Sequence, residues 1–427
     1  MQKFKLLPIT VAVAASLASI SSFAAETDLA ALEQRIQELE SQVGDIKYVD
    51  DQQQAVLTAE TNVPDGIVFS GYARYGAHYK SGDERYVDIG TTGRSVGRLG
   101  NEANGGEVQF AKFFQADNGA IWDIVFMADH WEADAWADDG GLSMKKMYAG
   151  VTNVFESQPE LYMWAGRDFH QRPQQGLNDY FWMTHDGQGA GFNNLDFGGA
   201  KLDMGFVGQV KGGLVNDNGR YAITSKLHSI NAGIGQLDLY ANYGFASDEA
   251  DEVGKPKVSD ETAYLLGATL GLGESNKLVV KYGDGADSSV YDLKGDYQTF
   301  YASLEGSYAA SEQFIIDYLV SYKDNSGSDL DRENTEYAGI VRPQYQWDDV
   351  HSTWLEAGYG MVDYDDNGEE NAWKVTLSQN VSLGGLPWSR PMLRFYTTVG
   401  DVETKGNTVK TTNVDTLSFG AMFEAWW

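Results

Sequence analysis

Two stretches and a terminus carry the residue types that do chemistry. Tyr72 and Arg74 share one face of an alternating run, and the chain closes on Trp426-Trp427. Between them, Phe169 to Ala190 crowds rings and charges of both signs into a segment without alternation, among them Phe169, Arg172, Asp179 and Phe181. Rings beside charged donors and acceptors suit reversible, non-covalent recognition, each ring contact being worth about 0.5 to 1.5 kcal/mol. Covalent chemistry has little to draw on. Zero cysteines remove thiol nucleophiles and thiol metal sites, and none of the 6 histidines has Ser and Asp partners at a recognisable spacing. Asn216 to Asn218 offers one carboxylate, and Asp324 to Asp331 lacks the mid-loop glycine of an EF-hand, so both read as polar hairpin tips. No metal, cofactor or enzymatic activity is expected.

These residues need a scaffold, and the closing segment shows its type. Leu417, Phe419, Ala421, Phe423, Ala425 and Trp427 alternate with Ser418, Gly420, Met422, Glu424 and Trp426. An exposed strand edge tipped with aromatics would template aggregation in a soluble domain, whereas a barrel closes its last strand on its first. Similar alternation runs through Phe69 to Tyr79, Leu237 to Phe245, Phe300 to Tyr308, Phe314 to Tyr322 and Leu355 to Met361. The expected fold is all-β: a transmembrane antiparallel barrel of about eighteen strands, apolar toward lipid and polar toward the lumen, preceded by a short α-helical coiled coil. The non-alternating Phe169 to Ala190 is then expected to fold into the lumen as a constriction loop. Strands between about 140 and 230 are weakly patterned.

The N-terminus has Lys3 and Lys5, an apolar run from Leu6 to Ile20, and small residues through Ala25, which reads as a signal peptide over 1–25. Leu29, Leu32, Ile36, Leu39, Val43 and Ile46 then recur at alternating spacings of 3 and 4, the seam of a short coiled coil over 26–49. Residues 50–66 are Gln-rich, end in Pro64-Asp65-Gly66 and read as a linker, leaving 67–427 for the barrel. The net charge of −31 makes nucleic acid a poor partner. It fits either a pore that disfavours anions or solvated acidic loops such as Asp248 to Glu252 and Asp363 to Glu370.

Several segments in order resemble the maltoporin family of sugar-selective outer-membrane porins. They are Phe69 to Arg74, Arg98 to Glu102, Trp131 to Asp134, Trp164 to Arg172 continuing to Gly189 to Asp196, Trp388 to Pro391, and Phe419 to Trp427. The heptad segment resembles the extension of the related sucrose-type porins. The resemblance implies an outer-membrane homotrimer in a Gram-negative bacterium, in contact with lipid bilayer and lipopolysaccharide, that passes oligosaccharides. A sugar ring has an apolar C–H face and a belt of hydroxyls, so a transport lane wants aromatic faces flanked by charged groups.

The resemblance assigns Tyr72, Trp131, Phe181 and Trp426 to sugar stacking, with Trp131 contributed to a neighbouring subunit's mouth. It assigns Arg74, Arg98, Glu107, Lys145, Arg172 and Asp179 to a polar track, and Phe169, Arg172, Asp179 and Phe181 to the constriction loop. Four positions depart from the family. Phe181 replaces a tyrosine, Gln174 replaces an acid, the Gly105-Gly106 region replaces an aromatic, and Val402 or a neighbour replaces the exit-side tryptophan. The lane is therefore expected to be poorer in rings than a maltodextrin specialist's. Maltose-type sugars, sucrose and β-linked oligosaccharides remain open as substrates. A general diffusion pore, an adhesin working through the heptad segment, and a glycosidase are the rival readings.

Overall fold

The computed structural model describes residues 47–49, 54–56, 63–81, 86–132, 141–210, 217–254, 257–273, 275–406 and 412–427. The signal peptide and the heptad seam from Leu29 to Ile46 lie outside the described residues. In chain order the strands are β1 (Lys47–Val49), β2 (Gln54–Val56), β3 (Ile67–Lys80), β4 (Asn104–Gln115), β5 (Ile121–Glu132), β6 (Ser143–Thr152), β7 (Tyr162–Asp168), β8 (Gln174–Gln175), β9 (Tyr180–Phe181), β10 (Gly187–Asp196), β11 (Lys201–Val210), β12 (Asp217–Asn231), β13 (Gln236–Ala246), β14 (Thr262–Leu272), β15 (Asn276–Asp284), β16 (Gln298–Ala309), β17 (Phe314–Ser326), β18 (Asn334–Gln346), β19 (His351–Tyr364), β20 (Glu369–Ser382), β21 (Met392–Lys405) and β22 (Thr412–Trp426).

Eighteen of these, β3–β7 and β10–β22, form one closed antiparallel barrel. Closure follows from the alternation of β22, which pairs with β3 from Ser418↔Lys80 to Trp426↔Tyr72 and leaves no free edge. The pleat sorts the side chains as expected: Val320 is 52% exposed on the outer face while its neighbour Leu319 is fully buried. Tight turns such as 116–120, 197–200 and 232–235 close one end, and the longer loops lie at the other. Two small ribbons stand apart from the barrel. β1 pairs with β2 in a segment the sequence divides between coiled coil and linker, and β8 pairs with β9 inside the loop after β7.

The core sits inside the barrel, because three loops fold into it. Residues 86–103 run along the β18–β22 wall, where Val87, Ile89 and Val96 pack with Val362 and Ala372, and Leu99 packs with Trp354 and Met392. Residues 169–186 cover the opposite wall, with Trp182 and Met183 fully buried in a cluster that includes Tyr240 and Leu265. Residues 285–297 join that cluster through Val290, Tyr291 and Leu293. Only the second of these loops is foreseen by the sequence, and it is shorter than expected, since the chain re-enters the barrel at Gly187. Its cover explains the weak patterning near 140 to 230. Tyr148, Trp164, Val207 and Ala222 point inward under the loops, so both faces of those strands are apolar.

Wall cations hold the loops by their backbones and acids. Lys374 Nζ donates to the Leu99 carbonyl at 2.7 Å and meets Glu356 at 3.1 Å, while Glu356 accepts from the Leu99 N–H at 2.8 Å. On the other side Lys281 and Lys323 both reach Asp287, at 3.4 and 2.9 Å. Burial would raise the Asp287 carboxyl, but these two lysines hold it well below the usual carboxylate range.

Candidate functional site: an aromatic and ionic strip in the lumen

The loops pack on the walls from β10 to β22, and beside them Trp131 on β5 and Trp426 on β22 remain exposed. The two largest loops also join each other. Arg98 N–H donates to the Leu177 carbonyl at 2.8 Å, and the Asn178 amide donates to the Thr92 carbonyl at 3.1 Å. Their joined edge meets the strip directly, through Arg74–Asp179 at 3.0 Å and Arg98–Glu424 at 3.2 Å.

Strand alternation sets the floor of the strip. Tyr72 and Arg74 project inward from β3, Glu424 and Trp426 from β22, and Glu107 and Asp129 follow in register on β4 and β5. Trp131 reaches back from β5 until its ring stacks on Tyr72, with centroids 6.0 Å apart and planes 25° apart. Three rings, Trp426, Tyr72 and Trp131, are thus neighbours on one surface. Each carries a guanidinium: Arg390 lies 4.2 Å from the Trp426 ring, and Arg74 lies 5.0 Å from Trp131 and 6.0 Å from Tyr72.

The ionic groups form a chain beside these rings. Glu424, fully buried, accepts from the Tyr72 hydroxyl at 2.7 Å, from Arg394 at 2.7 Å and from Arg98 at 3.2 Å, and it also pairs with Arg390. Arg394 continues to Glu102. At the loop, Arg74 meets Asp179 at 3.0 Å, and Gln174 donates to the other oxygen of that carboxylate. Burial would push the Asp179 carboxyl up, but Arg98 and Arg74 keep it below its ordinary value. Arg172 sits 4.2 Å from each of the Phe169 and Phe181 rings and 3.4 Å from Asp186, and Lys145 pairs with Asp129 at 3.5 Å.

The expected residues therefore divide. Tyr72, Trp131, Trp426, Arg74, Arg98 and Asp179 form one connected group, with Glu107 in register beside Tyr72. Phe169, Arg172 and Phe181 form a second group on the loop, where Arg172 covers the Phe181 ring. Within the single chain the Trp131 ring lies over Tyr72. Val402, read as standing where the family has its exit-side tryptophan, packs beside the buried Val87 and Ile89 cluster under the inserted loop. Sequence reasoning missed Glu102, Asp129, Asp186, Arg390 and Arg394 as site residues. Alternation could have found Arg394, which pairs with inward-facing Met422 on β22.

Chemically, the strip offers flat apolar faces flanked by donors and acceptors, and Glu424, Asp179, Asp129 and Asp186 are each engaged by a cation. Among the described residues no group of three His, Asp or Glu side chains is placed to hold a metal.

Comparison with known proteins gives a match to the LamB porin family model over residues 67–427. Among solved structures, OccD3 (OpdP) of Pseudomonas aeruginosa aligns with a TM-score of 0.49 and 11% identity, over 88% of this chain and 96% of its own. The trimer form of OmpT from Vibrio cholerae aligns at 0.42 and 13%, over 85% and 99%. Wzi of Escherichia coli, described as a carbohydrate-binding β-barrel, aligns at 0.45 and 10%, over 94% and 89%.

Proposed function

Because this chain belongs to the LamB porin family, and is thus a channel of the Gram-negative outer membrane and not an enzyme, we propose that it conducts oligosaccharides by facilitated diffusion along the Trp426–Tyr72–Trp131 strip. The observation that carries this reading is the joining of three inward-facing rings, of which Trp131 and Trp426 remain exposed, to a continuous row of charged hydrogen-bonding groups on β22, β3 and the loops against them. Pyranose rings stack on the former through their C–H faces. Their hydroxyls bond to Arg98, Asp179 and Glu107, where Arg offers a fork of two parallel donors. Three stacking contacts sum to about 1.5 to 4.5 kcal/mol, which corresponds to a dissociation constant in the millimolar range or weaker. Weak binding is what a conduit needs, since the solute must leave as readily as it enters.

The working state we read is a homotrimer embedded in lipid and lipopolysaccharide, exported by cleavage after residues 1–25, with residues 26–46 forming a coiled coil on the periplasmic side and the segment from the β1–β2 ribbon to residue 66 linking it to the barrel. The test is single-channel conductance in a planar bilayer with maltodextrins, sucrose and β-linked oligosaccharides added in turn. The reading expects saturable interruption of the ion current at millimolar sugar. Free ion flow with no interruption by any of them makes the protein a general diffusion pore instead.

A further inference from the structure

Asp179, the loop carboxylate that meets Arg74 at 3.0 Å, has its backbone at φ +54°, a left-handed region sparsely populated by residues other than glycine and kept only where the surroundings impose it. Both of its neighbours supply that constraint. On one side the fully buried Asn178 accepts from the Arg94 N–H at 2.5 Å through its carbonyl and donates its amide to the Thr92 carbonyl at 3.1 Å. On the other, the Tyr180 ring stands edge-on to Tyr301 with centroids 5.3 Å apart, and its hydroxyl accepts from Lys281 Nζ at 3.3 Å.

The two anchors trace back to one residue of the third loop. Lys281, on β15, also reaches Asp287, donating to its carbonyl at 2.9 Å and to its side chain at 3.4 Å. Lys323, on β17, meets the same side chain at 2.9 Å and donates to the Thr91 hydroxyl at 2.6 Å, one residue before the Thr92 that holds Asn178. Glu336 on β18 fixes Thr91 in turn, accepting from its N–H at 2.8 Å and from its hydroxyl at 2.6 Å. Each of these fully buried lysines therefore joins the 285–297 loop to one of the other two. In both directions the link is a hydroxyl group, that of Tyr180 or that of Thr91.

We propose that Lys281 and Lys323, gathered on Asp287, are positioning residues for the pore: through Tyr180 and Thr91 they clamp both flanks of Asp179, hold its carboxylate against Arg74, and so set the charge balance that passing ions meet. This goes beyond the sugar reading, because it concerns the ion path whichever solute the channel favours. With the clamp released, Asp179 relaxes from its left-handed backbone and leaves Arg74 with the Tyr72 hydroxyl and the Ala103 carbonyl, both neutral. The passage then gains an uncompensated cation.

The experiment reads the reversal potential across a KCl gradient with the full-length protein in planar bilayers. Tyr180→Phe and Thr91→Val each remove one hydroxyl and no charge, so a shift they cause comes from geometry. Asp179→Asn, which uncovers Arg74 outright, should move the permeability ratio toward chloride by about three- to tenfold. The Tyr180→Phe, Thr91→Val double variant should move it the same way by about two- to fivefold, and each single variant by less, since one flank stays held. In an Asp179→Asn background the same two substitutions should add nothing, because they act through that carboxylate. A role confined to fold stability would leave the selectivity of the folded channel at its wild-type value. Folding of every variant is checked by resistance of the barrel to detergent unfolding; if the double variant does not fold, Tyr180→Phe alone, with and without Asp179→Asn, is held to the same outcomes. An unchanged ratio, a shift toward potassium, a shift that persists undiminished in the Asp179→Asn background, or no response to Asp179→Asn itself overturns the proposal.

Discussion

Replacing Glu424 with Gln removes one negative charge from the middle of the strip and leaves three guanidiniums, Arg98, Arg390 and Arg394, around a neutral amide. Arg394 retains Glu102, whereas among the described residues Arg98 and Arg390 form no ion pair with a second acid. The local sum of Arg98, Arg390 and Arg394 against Glu102 and Glu424 rises from one positive charge to two. For an ion passing about 6 Å away in water, one charge is worth roughly 0.7 kcal/mol, cut by about half at 0.1 M salt. The change acts in opposite senses on K⁺ and Cl⁻, so their permeability ratio should shift toward chloride by about three- to tenfold. The assay is the reversal potential across a KCl gradient, read before and after substitution. Tyr72 and Trp426 also lose the groups that fix their orientation, since the Tyr72 hydroxyl bonds Glu424 and Arg390 is held over Trp426 by the same carboxylate. The sugar half-blocking concentration should therefore rise in the same preparation. An unchanged reversal potential together with unchanged block would show that Glu424 lies off the conduction path and refute the placement of the strip.

Four further outcomes follow from the same geometry. Trp426→Ala should weaken maltose block about two- to tenfold while leaving ion conductance equal or higher, checked by current noise in bilayers. Lys374→Met strips the 86–103 loop of its buried cation and leaves Glu356 short of a partner, a loss of about 3 to 5 kcal/mol for a broken buried pair; larger, noisier single-channel currents and protease cleavage within the loop are the readouts. The Asp287 carboxyl lies below its ordinary value, so its contribution to holding the 285–297 loop is full above the usual carboxylate range and is lost only as pH falls through its lower folded value. Protection of that loop from proteolysis should thus be equal at neutral and mildly acidic pH, and Asp287→Asn should abolish it at both. Deleting residues 26–62 should leave sugar block in the remaining barrel unchanged, measured by the same bilayer titration; a lost block would give the N-terminal segment a part in permeation.

The wall of the barrel is readable in the sequence because its code is local. Phe423 beside Glu424, or Phe300 beside Thr299, declares an outer and an inner face within two residues. The same code places Tyr72, Arg74 and Trp426 in the lumen without any knowledge of their neighbours. The loop from Phe169 is conspicuous for the opposite reason, as its rings and charges fit no strand period. What escaped is whatever depends on contacts far apart in the chain. Val87, Ile89, Val96 and Leu99 are scattered among glycines and polar residues with no periodicity, and their partners Val362, Ala372, Trp354 and Met392 lie hundreds of residues away. The 285–297 loop is hidden likewise, its Asp287 being indistinguishable from the solvated acids of other loops until Lys281 and Lys323 are seen beside it. Trp131 shows the limit most clearly. Strand alternation puts it inside, but which ring it meets is decided by the missing side chain of Gly105 on the next strand.

A crystal structure of the full-length protein soaked with maltotriose at a concentration that blocks its current addresses the account most directly. Sugar density stacked on Trp426, Tyr72 and Trp131, with hydroxyls within hydrogen-bonding reach of Arg98 or Asp179, is the outcome expected. Density confined to the outer loops, or a lumen without ordered sugar under those conditions, would contradict it.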